Sequence, residues 1–372
     1  MKESIAQILK RLNDNGYEAY LVGGSVRNYI LDKDIDDYDI NTSADPNAIR
    51  ILFSDYPLYD IGRKLGTVAI LIDNEKVEIT PFRKEGKYSD HRHPEEISFS
   101  DQLEDDLKRR DFTINALCMD SNGTVIDLYN GIDDLHNKII RTIGNPDERF
   151  DEDGLRILRA LRFKSKLQFE IEEKTKESIF RNKDLLKEIS AERKKDELFK
   201  ILTCEDSFKV INEYLEVFRT FMDIDHIDKE ENIFNDPLYA LSYLYARNHF
   251  SLGELKLSGK ETDIVKTLSS LTDTDLKDDY DFIRNLSNIY TDDCLRYLNC
   301  LYNTDYTERY TSLKPYIITL NDLDIDGNTL MDMSYSGKKI SEVKQKLLDL
   351  VHQKKLSNHK EVLINYLKEN SL

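Results

Sequence analysis

The chain predicts an α+β fold, with a small mixed-sheet head at the N-terminal side and helices after it. Three observations carry this. Helix-like and strand-like signals alternate up to about residue 145. From about Asp151 onward, long amphipathic stretches rich in Leu, Ile and Lys replace them. The 372 residues exceed one small core and suffice for two or three packed units.

The elements follow in order. Ser4 to Asn13 places Ile5, Ile8, Leu9 and Leu12 at helical spacing, and Gly16 can end that helix. AYLVGG reads as a short buried strand closing on paired glycines, and VRNYILD as a short helix. YDINTS, TVAILID and KVEITPF are strand-like runs rich in β-branched residues. Boundaries are expected near Gly144–Pro146, Thr203–Asp206 and Asn321–Gly327.

Composition narrows the class. At 40% hydrophobic residues the chain can bury a core. No apolar run approaches a membrane span, and MKESIAQILKRL has no signal-peptide block, so a cytoplasmic location is expected. Cys118, Cys204, Cys294 and Cys300 form no CxxC pair and read as reduced thiols rather than a disulfide frame or zinc site. The net charge of −18 argues against a uniformly basic nucleic-acid binder. Basic patches nevertheless stand at Lys108–Arg110, at Arg156–Arg162 and in GKKISEVKQKLLDLVHQKKLSNHK.

One constellation carries chemistry. Gly23-Gly24-Ser25 is followed, after the stretch to Asp36, by Asp37-Tyr38-Asp39. Alternate strand residues share a face, so Asp37 and Asp39 can hold the same metals. Glu78 sits in Val77-Glu78-Ile79, an apolar–acid–apolar strand pattern. Three carboxylates around two Mg²⁺ ions suit in-line phosphoryl transfer to a 3′-hydroxyl. The glycine pair lets backbone N–H groups approach phosphates, and Arg27 can neutralise phosphate charge. Alone, a DxD is more often a solvated edge and a Gly-Gly more often a turn. Glu78 reads equally as a surface acid.

Taken in order, LVGGSVRNYIL and DDYDINTSADP resemble the polymerase-beta-like nucleotidyltransferase signature of the class II tRNA nucleotidyltransferases and related bacterial poly(A) polymerases. The resemblance implies Mg²⁺ on Asp37 and Asp39 and nucleotide contacts from Gly23, Gly24 and Arg27. RKEGKYSDHRHPEEISF resembles the loop with which CCA-adding enzymes switch from C to A addition, which points to Tyr88–Pro94. LKRRDFTINALCMD resembles the motif for ribose and triphosphate, implying roles for Arg110, Asp111 and Asn115. FDEDGLRILRALRF matches an EDxxR motif with Asp153 and Arg156 as base readers and Arg159 and Arg162 as further contacts. Asn28 departs from the family's usual Asp. The end of the chain resembles the tail with which short bacterial relatives grip tRNA, which implies tRNA contacts from Lys338, Lys339, Lys344 and Lys346. Close resemblance covers about Tyr20 to Leu202, with a looser echo from about Leu323 to Leu367.

The last motif also has a chemical reading of its own. Asp accepts and Arg donates. Cytosine and adenine both offer an amino donor beside a ring-nitrogen acceptor, and uracil and guanine offer the reverse. One Asp–Arg pair, three residues apart on a helix, can therefore select C and A without a template. The plainer reading is an i,i+3 ion pair.

The expectation is thus a polymerase-beta-like nucleotidyltransferase head (1–145) followed by an all-α neck (146–204), body (205–320) and tail (321–372). CTP, ATP and tRNA are the expected partners and Mg²⁺ the cofactor. Alternatives are a CC-only or A-only enzyme, a poly(A) polymerase, and a non-catalytic tRNA-binding protein.

Overall fold

The structure, a computed structural model, describes residues 1–35, 37–61, 66–73, 75–85 and 97–370. The expected switching loop Tyr88–Pro94 lies outside the described residues. The chain divides into two compact units, Met1–Met222 and Asp223–Leu372.

The first unit opens on α1 (Glu3–Asp14), which buries Ile5, Ile8, Leu9 and Leu12 as its spacing predicts. Burial of each such side chain contributes about 1.5–3 kcal/mol, so Leu9→Ala should cost about 2–5 kcal/mol. Gly16, at φ +83°, takes the left-handed conformation that ends the helix. The strands are β1 (Ala19–Val22), β2 (Tyr38–Thr42), β3 (Leu58–Asp60), β4 (Val68–Ile72), β5 (Glu75–Pro81), β6 (Arg83–Glu85), β7 (Ile97–Phe99), β8 (Leu117–Met119), β9 (Val125–Asp127) and the parallel pair β10 (Ile139–Ile140) and β11 (Glu170–Ile171). Seven of them form one mixed sheet in the order β3-β4-β5-β2-β1-β8-β9, and β6 and β7 pair separately. Within the sheet β2 and β5 run parallel, in a register that sets Asp39 opposite Glu78. The expected strands are all present; β3 and β6 to β11 are additions, and the two-residue β11 stands within the stretch expected to be an all-α neck.

Short helices bridge the strands: α2 (Gly24–Ile30), α3 (Pro46–Leu52), α4 (Leu103–Lys108) and α5 (Gly131–His136). Then follow α6 (Pro146–Glu152), α7 (Leu155–Leu167), α8 (Glu173–Asn182), α9 (Ala191–Leu202), α10 (Ser207–Glu213) and α11 (Leu215–Phe218). Asn145 caps α6 and Pro146 fills its first turn. α7 buries Ile157, Leu158, Ala160 and Leu161 on one side, packed with α9.

One expectation needs correction. Asp153 and Arg156 do not sit on a common helical turn. Asp153 is extended (φ −147°, ψ 101°) and closes α6, and α7 begins at Leu155. The break follows from close packing and capping. A Cβ on Gly154 would stand 3.0 Å from the Leu185 Cβ, while the Asp153 carboxylate accepts the Leu155 N–H at 3.1 Å.

The second unit is helical among its described residues. Its last part closes on a cluster that includes Leu330, Val343, Leu347, Val351 and Leu363. The four cysteines are free. No helix among the described residues is long and apolar enough to cross a membrane.

Candidate active site

A cleft of about 1160 Å³ opens in the first unit, between residues on or just after the central strands β1 and β2 and those of α7 and α9. Eight arginines and two lysines line it against four carboxylates. In a chain of net charge −18 that local excess of cations marks a site for a polyanion. Gly23, Gly24, Arg27, Asp39, Arg110, Asp111, Asn115, Asp153, Arg156, Arg159 and Arg162 all line it, so one cavity gathers motifs spread over 140 positions of sequence.

The acidic end is built by the sheet. Asp39 lies on β2 and Glu78 directly across on β5, with Asp37 two residues before Asp39. The Ser25 hydroxyl donates to the Asp37 carbonyl at 2.7 Å and so ties the glycine turn to the acids. Asp39 keeps an open face, but protein crowds it from the sheet side. That crowding, and then the charges of Glu78 and Asp37, raise its pKa against the pull of Arg110. The Lys76 ammonium bonds Glu78 at 2.6 Å, and its own pKa is raised by Glu78 first and then by Asp37 and Asp39. These carboxylates carry repulsion that a cation would relieve. Among the described residues no three acids, histidines or cysteines close into a preformed metal cage. Hard carboxylate oxygens in an open, incomplete set fit Mg²⁺, which keeps waters and binds through one or two carboxylates plus substrate phosphates.

Next to the acids comes a lattice of arginines. Gly23 holds φ +67°, and a Cβ there would come within 2.9 Å of the Arg110 guanidinium, so both conformation and space demand glycine. Asp106, with no exposed surface, bonds Arg109 at 2.6 Å, Arg110 at 3.2 Å and the Asn41 amide at 2.6 Å. Arg27 donates to Asn115 Oδ1 at 2.6 Å and to Asn28 Oδ1 at 3.0 Å. The departure at position 28 thus keeps an acceptor for Arg27 but supplies no counter-charge. Burial, and then Arg162 and Arg159 against the pull of Asp111, bring the Arg27 pKa down to about 10. Arg159 donates Nε to Asp111 at 2.8 Å, and Asn115 donates to the same carboxylate at 3.0 Å. Burial alone would raise the Asp111 pKa; Arg159 and the bonds from Asn115 and the Phe112 N–H outweigh it and hold it at about 2.

Farther along the cleft, Asp153 and Arg156 are each held by another partner rather than by one another. Arg193 donates to Asp153 Oδ2 at 2.9 Å. Arg156 commits Nη1 to the Arg149 carbonyl (2.7 Å) and Glu152 (2.6 Å), and one Nη2 hydrogen to the Arg109 carbonyl (3.1 Å). Its Nε and the other Nη2 hydrogen remain as donors. Two backbone carbonyls and a carboxylate therefore fix the guanidinium while its remaining donors stay available. Arg162 pairs with Glu197 at 3.0 Å.

Arg83, Arg109, Phe163, Lys166, Arg193 and Lys200 also line the cleft without having been singled out in the sequence. Arg109 stood beside Arg110 in a basic patch; Arg193 carried no signal beyond a basic helix. Of the tail lysines, Lys338, Lys339 and Lys346 are exposed and Lys344 half-buried. All four lie in the second unit, on the helix Lys338–His352.

Residues 19–141 match the family described as the poly A polymerase head domain. Residues 168–216 match one described as the probable RNA and SrmB-binding site of polymerase A. A CCA-adding enzyme of Oceanobacillus iheyensis is 35% identical, over 96% of this chain and 94% of its own length. One of Lactobacillus helveticus is 50% identical over 52% of this chain, which spans about half (48%) of that relative's length. The crystal structure of the Bacillus stearothermophilus CCA-adding enzyme in complex with CTP superposes with a TM-score of 0.82, at 26% identity, over 100% of this chain and 98% of that one.

Proposed function

Because the chain belongs to the family of the CCA-adding enzymes, we propose that it rebuilds the 3′ CCA end of tRNA from CTP and ATP, without a nucleic-acid template. The observation that carries this is the single arginine-lined cleft with carboxylates at one end and the Asp153–Arg156 edge farther along. A nucleoside triphosphate placed there meets cations at its phosphates and a donor–acceptor edge at its base.

The geometry supports the following roles. Arg27, Arg110, Arg159 and Arg162 take the triphosphate by charge-assisted hydrogen bonds. Asn115 and Asp111 stand beside them, with Asp111 ionised and acceptor-only. Asp153 accepts the exocyclic amino group that cytosine and adenine share, and the spare donors of Arg156 reach the neighbouring ring nitrogen. Uracil and guanine would set acceptor against Asp153 and donor against Arg156. Asp37 and Asp39 would hold Mg²⁺, with Glu78 as the third acid; bound there, the metal lowers the pKa of the attacking 3′-hydroxyl and steadies the leaving pyrophosphate. Lys338, Lys339, Lys344 and Lys346 contact the tRNA backbone. The division into head (1–145), neck (146–204), body (205–320) and tail (321–372) belongs to the same reading.

The test is incubation with tRNA lacking CCA, with each nucleoside triphosphate separately and in pairs, and sequencing of the products. Ordered addition of C, C and A supports the proposal. Addition of C alone or A alone gives a partial enzyme, long A tracts give a poly(A) polymerase, and no addition gives a binding protein.

A further inference from the structure

Phe163 lies on α7, four residues beyond Arg159 and directly after Arg162. It is 5% exposed and lines the cleft. Three guanidinium carbons stand over its ring: Arg162 at 4.6 Å, Arg27 at 5.2 Å and Arg159 at 5.8 Å from the centroid. Phe112 meets the ring edge-on, with centroids 5.7 Å apart and planes at 82°, and so fixes its orientation.

Three guanidinium groups gathered this closely repel one another. A carboxylate at the hub would gather them too, but would cancel the charge and occupy the N–H donors. An aromatic face carries a negative quadrupole and no net charge. It attracts cations without adding a counter-charge of its own; Arg159 and Arg162 also hold Asp111 and Glu197, whereas the bonds of Arg27 go to amide oxygens. Packing alone accounts for a buried Phe, and Asp111 and Glu197 help to place Arg159 and Arg162, yet neither carboxylate holds Arg27, which comes from a second helix and meets the same ring.

We infer that Phe163 is a positioning residue that gathers Arg27, Arg159 and Arg162 into one receptor for the triphosphate of the incoming nucleotide. The inference rests on the reading of the cleft as a nucleotide site. Phe163 touches no reacting atom; it sets where three cations stand.

The experiment replaces Phe163 with phenylalanines carrying one, two or three ring fluorines, which drain the quadrupole stepwise at nearly constant shape. The full chain is titrated in magnesium-free buffer with CTP, ATP and inorganic tripolyphosphate, and Kd is read by calorimetry. Kd for all three ligands should rise with each fluorine, by about tenfold across the series, about 1.4 kcal/mol and within the range of one cation–π contact. The ratio of CTP to UTP affinity should stay constant, because the base edge is untouched. Phe163→Leu should raise Kd at least as much; should that variant fail to fold, the fluorinated series decides. A flat Kd across the series, in a wild type that binds the ligands, overturns the hub and leaves the nucleotide site standing. A wild type that binds none of the three overturns the nucleotide reading, and the hub with it.

Discussion

Asp153→Ala tests base choice most directly. In the structure Asp153 Oδ1 accepts the Leu155 N–H at 3.1 Å and Oδ2 accepts from Arg193 at 2.9 Å. Each oxygen keeps a lone pair for an amino group. Removal of the carboxylate does two things. It deletes the acceptor that favours cytosine and adenine, and it releases the Arg193 guanidinium, a donor, at the same place. A donor there suits the carbonyl of uracil or guanine. One good polar contact is worth roughly 1–3 kcal/mol of discrimination, or about five- to 150-fold. The variant should therefore lose at least that factor in the kcat/KM ratio of CTP to UTP. The double variant Asp153→Ala/Arg193→Ala should fall between it and wild type, because the misplaced donor is gone. The assay is kcat/KM for all four nucleotides on tRNA ending just before CCA. Unchanged ratios with a uniformly reduced rate would remove Asp153 from base selection and leave it as a structural acceptor for the Leu155 N–H and Arg193.

Other outcomes follow from the same geometry. Asp37→Ala and Asp39→Ala should each abolish addition of every nucleotide while tRNA binding persists in gel-shift titration; substantial C addition at saturating Mg²⁺ would refute the metal assignment. Glu78→Gln should lower kcat by more than about tenfold, whereas a rate within a few-fold of wild type reduces Glu78 to a partner of Lys76. The Asp111 carboxyl, held at about 2 against an unfolded value near ~3.9, should contribute on the order of 2 kcal/mol at neutral pH. A depressed pKa gives stability that is fully present above the unfolded value and lost as pH falls through the folded one, so about half of it should be gone by about pH 3. Hydrogen exchange in α7 and β8 of wild type and Asp111→Asn should therefore converge as pH drops from 7; a constant gap refutes the linkage. Neutralising Lys338, Lys339, Lys344 and Lys346 should weaken tRNA binding and flatten its salt dependence, by about one unit of slope for each phosphate that no longer meets a lysine. An unchanged slope would place the tRNA surface elsewhere.

The sequence announced the parts of the site whose signal is local. Paired glycines, alternating acids before a β-branched run and arginines every third residue along α7 are patterns within a dozen positions. The parts that hold those residues in place are not local. Asn41 meets Asp106, Asp153 meets Arg193 and Arg162 meets Glu197 across 35 to 65 positions, and no periodicity reports such a meeting. The break at Asp153 was hidden for another reason. Asp153 and Arg156 stand three apart, a helical spacing, so the stretch reads as one helix until Gly154 is seen packing against Leu185. Strands β3, β8 and β9 are three residues each, too short for alternation to show.

The arginines of the cleft differ in what balances them, and the difference bears on where a phosphate would settle. Arg110, Arg156, Arg159, Arg162 and Arg193 each hold a carboxylate, from Asp106, Glu152, Asp111, Glu197 and Asp153 in turn. Those pairs fix position but cancel part of the charge. Arg27 holds two amide oxygens, from Asn28 and Asn115, and an aromatic ring. It is buried, 6% exposed, and its pKa is depressed to about 10. Burial and the neighbouring Arg162 and Arg159 outweigh the pull of Asp111, so the charged form is only partly compensated, at a cost, until an anion arrives. Binding a phosphate beside it removes that cost, so the energy stored in placing Arg27 is returned on binding rather than in the empty protein. With Asp at position 28 the charge would be balanced in advance. Asn28 leaves the demand open at the turn where Gly23 and Gly24 line the cleft, which supports that turn as the proposed seat of a triphosphate.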